Sequence, residues 1–212
     1  MMDVITSVAL LLGCVFYAAQ LFRQPETLTD NNKTLVLLLL ICVVFILSAA
    51  AGQLLINEQN PDSQTLQRLL SNMKDYLAIP LIASLLLATS FNKFWSRAAW
   101  GRWVLVLIAL FELGRRAEVG EQYAVILAGF TSAALLLAFA RYSQAGIRLV
   151  GLTGALLTSL SVAVYGILSL LPEYQNAVLS DGLLAIGLVA LGLATREVIF
   201  LHQKQETVST SF

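Results

Sequence analysis

Long apolar runs broken by short polar stretches set the pattern of this chain, and seven runs approach the length that matters for a membrane. A hydrocarbon core of ~30 Å takes ~20 apolar residues of helix to cross. Val4–Phe22 is the first run, stopped by Arg23 and Pro25. Thr34–Ile56 is the second and carries no charge. Tyr76–Phe91 is the third, prolonged outward through Leu69–Asp75. Trp103–Leu113 with Gly114–Val119 is the weakest, because Glu112, Arg115 and Arg116 interrupt it. Tyr123–Ala140, Leu149–Leu171 and Ala177–Thr195 complete the set. With their flanks, the expected spans are 4–22, 34–56, 69–91, 101–119, 122–141, 147–171 and 177–200. They absorb most of residues 1–212, so the chain reads as a single all-α domain, a seven-transmembrane-helix bundle. The longest connection, Asn57–Arg68, holds Asn60-Pro61-Asp62-Ser63 and reads as a turn.

Composition narrows the class further. Hydrophobic residues make up 58% and charged residues 12% of the 212, and mean hydropathy is +0.79. Soluble domains average ~25% charged, so a soluble globule, a nucleic-acid binder and a disordered regulator are excluded. The partner this composition calls for is a lipid bilayer. The 13 basic and 13 acidic residues cancel, and only their placement is informative. The connections after spans one, three, five and seven collect Arg23, Lys33, Lys93, Arg97, Arg102, Arg141, Arg148, Arg196 and Lys204. The opposite side holds Arg68, Lys74, Arg115 and Arg116. Cytoplasmic loops carry the excess of Lys and Arg, which places the C-terminus inside and the N-terminus outside a bacterial-type inner membrane. Trp95, Trp100 and Trp103 then cluster at the cytoplasmic interface, where amphipathic aromatics anchor helices.

Catalytic chemistry is scarce. The one histidine, His202, falls in the polar tail, and Cys14 and Cys42 lie in separate apolar runs as small buried hydrophobes. No phosphate loop, nucleophile elbow, CxxC or metal-ligand spacing occurs. The expectation is no catalytic set, no metal site and no enzyme. Small residues recur at four-residue spacing as Ala124, Ala128 and Ser132, as Gly151, Ala155 and Ser159, and as Ala190 and Ala194. Such stripes let helices approach closely in lipid, so spans five to seven should pack together; a homo-oligomer would use the same stripes.

Ionisable residues inside a bilayer are costly and should face protein or water. Three groups qualify, all in the outer half. The first is Lys74-Asp75-Tyr76, ahead of Pro80. The second is Glu112 with Arg115 and Arg116, at the spacing of an intrahelical ion pair. The third is Asp181, early in span seven, where the helix dipole also favours an anion. Lys74 reads as a snorkelling anchor, whereas Asp75, bracketed by apolar sequence and Pro80, points to a lined polar cavity.

With that layout the chain resembles the microbial rhodopsins. Asp75-Tyr76-Leu77 followed by Pro80 is similar to that family's helix-three pattern, and Asp181 matches its helix-seven aspartate. Tyr165-Gly166 resembles its helix-six Tyr-Pro, and Thr131-Ser132-Ala133-Ala134 its helix-five small-polar stretch. The resemblance implies a seven-helix fold and a pocket lined by Asp75, Tyr76, Tyr165, Asp181 and Ala185. It also implies a departure: the family's retinal-binding lysine would fall at Ala185, so no covalent retinal is expected, and any retinal or lipid-like ligand would be held non-covalently. The function expected is a small-molecule-binding, sensory or assembly role through the outer pocket. The alternative is a small proton- or ion-coupled transporter working through Asp75, Glu112 and Asp181.

Overall fold

The computed structural model describes residues 2–23, 28–56 and 60–209, with side chains described as far as Lys204. Among these residues the chain is mostly helical, without strands. We number its helices α1 (Met2–Phe22), α2 (Asp30–Leu55), α3 (Pro61–Ser90), α4 (Arg97–Arg116), α5 (Gly120–Ala140), α6 (Ala145–Tyr165) and α7 (Ala177–Ser209). All but α4 are long and apolar enough to cross a membrane. This marks an integral membrane protein, since helices satisfy every backbone polar group internally where no water is present. Large apolar side chains ring the outside, among them Leu12, Ile126, Leu149 and Ile186, as lipid-facing positions would.

Six helices close into a ring. α1 lies between α2 and α7, α7 packs on α6, α6 on α5, α5 on α3, and α3 returns to α2. α4 stands outside this ring, against the middle of α3 and against α5. Its inward positions are Trp100, Leu107 and Gly114, one every seventh residue. All seven expected spans are helical, but only six share the ring: α4, with Arg102, Glu112, Arg115 and Arg116, has too narrow an apolar seam to be enclosed.

Close approach at the α1, α6 and α7 contacts depends on missing side chains. A Cβ at Gly13 would stand 2.8 Å from the Ala185 carbonyl oxygen, and one at Gly154 2.8 Å from the Leu191 nitrogen. The expected packing of spans five to seven is realised, but α1 joins it through Gly13. There Tyr17 Oη lies 3.3 Å from Thr195 Oγ1, 178 residues along the chain. An interhelical hydrogen bond of this kind contributes about 0.6 kcal/mol in a membrane.

Two departures from regular helix decide where the functional groups end up. Pro80 lacks an N–H, and its ring would clash with the carbonyl four residues back. The preceding turns widen accordingly: Met73–Ala78 is π-helical, and the Ile79 N–H bonds to the Lys74 carbonyl five residues earlier. In α6, Ser161–Tyr165 is also π-helical and ends at Gly166 in an extended conformation. A Cβ there would lie 2.9 Å from the Ser161 carbonyl oxygen, so the chain turns back along its own helix only because residue 166 is glycine. Hence the span expected to reach 171 stops at Tyr165. Residues 166–171 fold back, with the Leu170 N–H bonded to the Ala163 carbonyl at 2.8 Å.

Further corrections concern boundaries. Within Asn57–Arg68, read as a turn, residues 57–59 lie outside the description, but helix begins at Pro61, which sits in the first turn where its missing N–H costs nothing. Pro61–Asn72 buries no side chain and extends α3 beyond the apolar run. At the other end α7 continues past residue 200, so His202 is not in a loose tail. It is buried, and its ring meets Phe94 edge-on at 5.5 Å.

Candidate functional site

The π-turn of α3 places two adjacent charged residues inside the ring. Lys74 and Asp75 are 6% and 8% exposed, and Asp181 on α7 is 4% exposed. Lys74 Nζ donates to Asp181 Oδ1 at 2.8 Å and stands 3.8 Å from Asp75 Oδ1. Lys74 therefore does not snorkel outward, as its sequence suggested. Two buried carboxylates on facing helices need a cation between them, and the lysine next to Asp75 is the group within reach. One strong charge-assisted bond and one looser contact leave Asp75 with acceptor capacity to spare.

A cavity of about 190 Å³ opens onto this cluster. Its remaining walls are uncharged and mix Gln53, Ser71, Tyr165, Gln175, Asn176 and Ser180 with apolar Ile167 and Ala177. The fold-back after α6 builds one wall. Ser161 Oγ donates to the Ser180 carbonyl at 2.8 Å, Ser180 Oγ donates to the Ser161 carbonyl at 3.1 Å, and the Asn176 N–H bonds to the Tyr165 carbonyl at 2.9 Å. These bonds tie the end of α6 to the start of α7 and hold Asn176 and Ser180 at the cavity. A second cleft of about 330 Å³ shares Gln53, Ala177 and Asp181 with the first and is lined also by Asp3, Thr6, Ser7 and Gln67. Ser7 Oγ donates to Gln53 Oε1 at 2.9 Å across its floor. Together they form a polar vestibule at the end of the bundle where α1 and α7 begin.

Of the pocket residues expected from sequence, Asp75, Tyr165 and Asp181 line this cavity. Tyr76 does not. Its ring faces the other way, 4.5 Å from Phe111 of α4 and 6.0 Å from Tyr123 of α5, and it docks α4 onto the ring. Ala185 does not line the cavity either; its backbone is pressed against Gly13 of α1. Glu112, Arg115 and Arg116 form their own cluster on the surface of α4. Arg115 donates to both carboxylate oxygens at 2.9 and 2.8 Å, and Arg116 donates at 2.7 Å. This cluster stands apart from Asp75 and Asp181. Sequence reasoning missed Lys74 as an inward group, and it missed Gln53, Gln175, Asn176 and Ser180. The available signal was Gln53, a polar residue two positions before the end of α2, after a long apolar stretch.

Nothing in this arrangement resembles a nucleophile with its base. Among the described residues no three His, Cys, Asp or Glu side chains converge as metal ligands, and Cys14 and Cys42 are buried without a disulfide. The site places two carboxylates and one ammonium at the floor of a small cavity. Against protein-family models, curated proteins and solved structures, the chain finds no match in any of the three comparisons.

Proposed function

We propose that this is a seven-span membrane protein, N-terminus outside and C-terminus cytoplasmic, that binds a small positively charged molecule in its outer polar cavity. The observation that carries the reading is the Lys74–Asp75–Asp181 triad. Two carboxylates and one ammonium sum to one uncompensated negative charge when all are ionised. A buried surplus charge is expensive, and a ligand ammonium beside Asp75 would neutralise it. At ~30 Å³ per water-sized group, the cavity beside the triad holds roughly six such groups, which suits a small amine. The shared layout is the part of the rhodopsin resemblance this reading keeps; covalent retinal is the part it drops, because the residue one turn after Asp181 is Ala185. The seventh span, α4, is 20 residues long, enough for ~30 Å at 1.5 Å per residue.

Thermal unfolding of the purified protein with methylammonium, ethanolamine and choline tests the binding role. A ligand that binds only the folded state raises the midpoint in a saturable way. Methylammonium and ethanolamine should do so, and Asp75→Asn should abolish the rise. No shift with any of the three amines, at concentrations where sodium chloride is also silent, would overturn the reading. The orientation is tested separately by reporters fused after Phe212: green fluorescent protein should fluoresce there and alkaline phosphatase should stay inactive.

A coupled carrier is the second reading, and one observation favours it. Lys74 stands within 3.8 Å of both carboxylates, so a shift of a single side chain would exchange its partner. Glu112 has no part in such an exchange, being held by Arg115 and Arg116. Uptake of labelled methylammonium into proteoliposomes, absent in Asp181→Asn, separates the carrier from a binding protein.

A further inference from the structure

At the opposite end of the bundle, α4 diverges from the C-terminal half of α3 and approaches it mainly through side chains. Trp103 bridges the gap, its Nε1 donating to Ser84 Oγ at 3.2 Å, and the Trp95 and Trp100 rings meet at 4.9 Å. Between them lies a groove of about 280 Å³, lined almost wholly by apolar atoms, whose walls include these three tryptophans, Phe91 and Phe130. Trp100 forms its buried back wall, while Trp95 and Phe91 are nearly half exposed at the opening. Interface anchoring alone would splay tryptophans outward; here they enclose space.

Charge at the rim is of one sign. Lys93 lines the groove, and the Arg141 guanidinium sits 3.9 Å above the Phe91 ring, on the groove's own wall. No carboxylate lines it. An apolar slot with cations at its mouth, on helices that a bilayer surrounds, is complementary to an acyl chain ending in an anionic headgroup. We propose that this groove is a binding site for an anionic phospholipid, one acyl chain lying against Trp100 and Trp103 and the phosphate held by Lys93 and Arg141. The proposal rests on the integral-membrane reading and is independent of the amine pocket.

The chain supplies its own probe, because its three tryptophans are all in this groove. The protein is reconstituted into phosphatidylcholine vesicles containing a minor fraction of either brominated phosphatidylglycerol or brominated phosphatidylcholine, at the same mole fraction. Bromine quenches tryptophan only at contact. Brominated phosphatidylglycerol should be preferred roughly 25-fold, about fivefold for each of the two cations. Lys93→Gln should lower the preference, and removing Arg141 as well should erase it. Lys33→Gln, which removes a cation that is paired with Asp30 and does not line the groove, should leave it intact. Ala88→Leu, which narrows the groove without altering charge, should reduce quenching by both lipids. Equal quenching by the two lipids in the native protein would overturn the proposal, as would a preference that Lys33→Gln lowers as much as Lys93→Gln. Quenching by neither lipid, with tryptophan emission that depends on protein density in the vesicle, would assign the groove to a second copy of the chain instead.

Discussion

Two ion clusters on this chain use the same chemistry in opposite settings. In α4, Glu112 meets Arg115 and Arg116 three and four residues on, and all three side chains are at least a third exposed. Between α3 and α7, Lys74 meets Asp181 across 107 residues of sequence, and both side chains are below a tenth exposed. The first cluster closes no loop and sits in the last turn of α4, at the end where its arginines can reach the interface. Exposed pairs of this kind gain little, because screening and side-chain entropy offset the attraction. The second must repay the desolvation of three charged groups, which only good geometry can do. The shorter list of hydrogen bonds belongs to the cluster with more at stake, so bond count is a poor guide to which one holds the bundle together.

The most severe test of that contrast is Lys74→Met. It leaves Asp75 and Asp181 buried and facing each other without a cation, and should cost about 3–5 kcal/mol of stability, read as a large fall in the unfolding midpoint in mixed micelles. A midpoint near wild type would mean that the carboxylates have solvent access and the contrast is false. Asp181→Asn comes next. It removes the 2.8 Å charge-assisted bond and should cost about 1–3 kcal/mol. Asp75→Asn should cost less than Asp181→Asn or raise stability, because its 3.8 Å contact lies beyond hydrogen-bond range and a buried charge is relieved. The reverse order would show that Lys74 rests on Asp75 in solution. Smallest of all is Glu112→Gln, whose unfolding midpoint should match wild type at moderate salt. A loss comparable to that of Asp181→Asn would place the α4 cluster in a dry environment and put the two regions on equal terms.

The α4 cluster was legible in the sequence because its spacing is local: residues three and four apart on a helix are neighbours by geometry alone. The same holds for the apolar runs, which specify helices and a membrane without reference to any other part of the chain. Asp75 and Asp181 could be flagged as costly, and Pro80 as a disturbance, for the same reason. The direction in which Lys74 points could not be read. It depends on the π-turn that Pro80 provokes, and on Asp181 arriving from a helix more than a hundred residues away.

Sequence by itself determined the helices, their apolar faces and the concentration of basic residues at one end, since hydrophobic period, proline and charge act over single turns. Tertiary structure alone decided that α4 stands outside a six-helix ring and that Tyr76 turns away from Asp75. It also decided that residue 185 is taken up in an α1 contact, and that the span expected to reach 171 folds back at Gly166. The last two follow from how closely two backbones approach, which is set at Gly13 and Gly166 by side chains that are missing; the first two follow from the narrow apolar seam of α4 and from the π-turn before Pro80. A glycine in a run of leucine and alanine looks alike whether it meets lipid, a partner helix or its own chain; the backbone packed against it makes the difference.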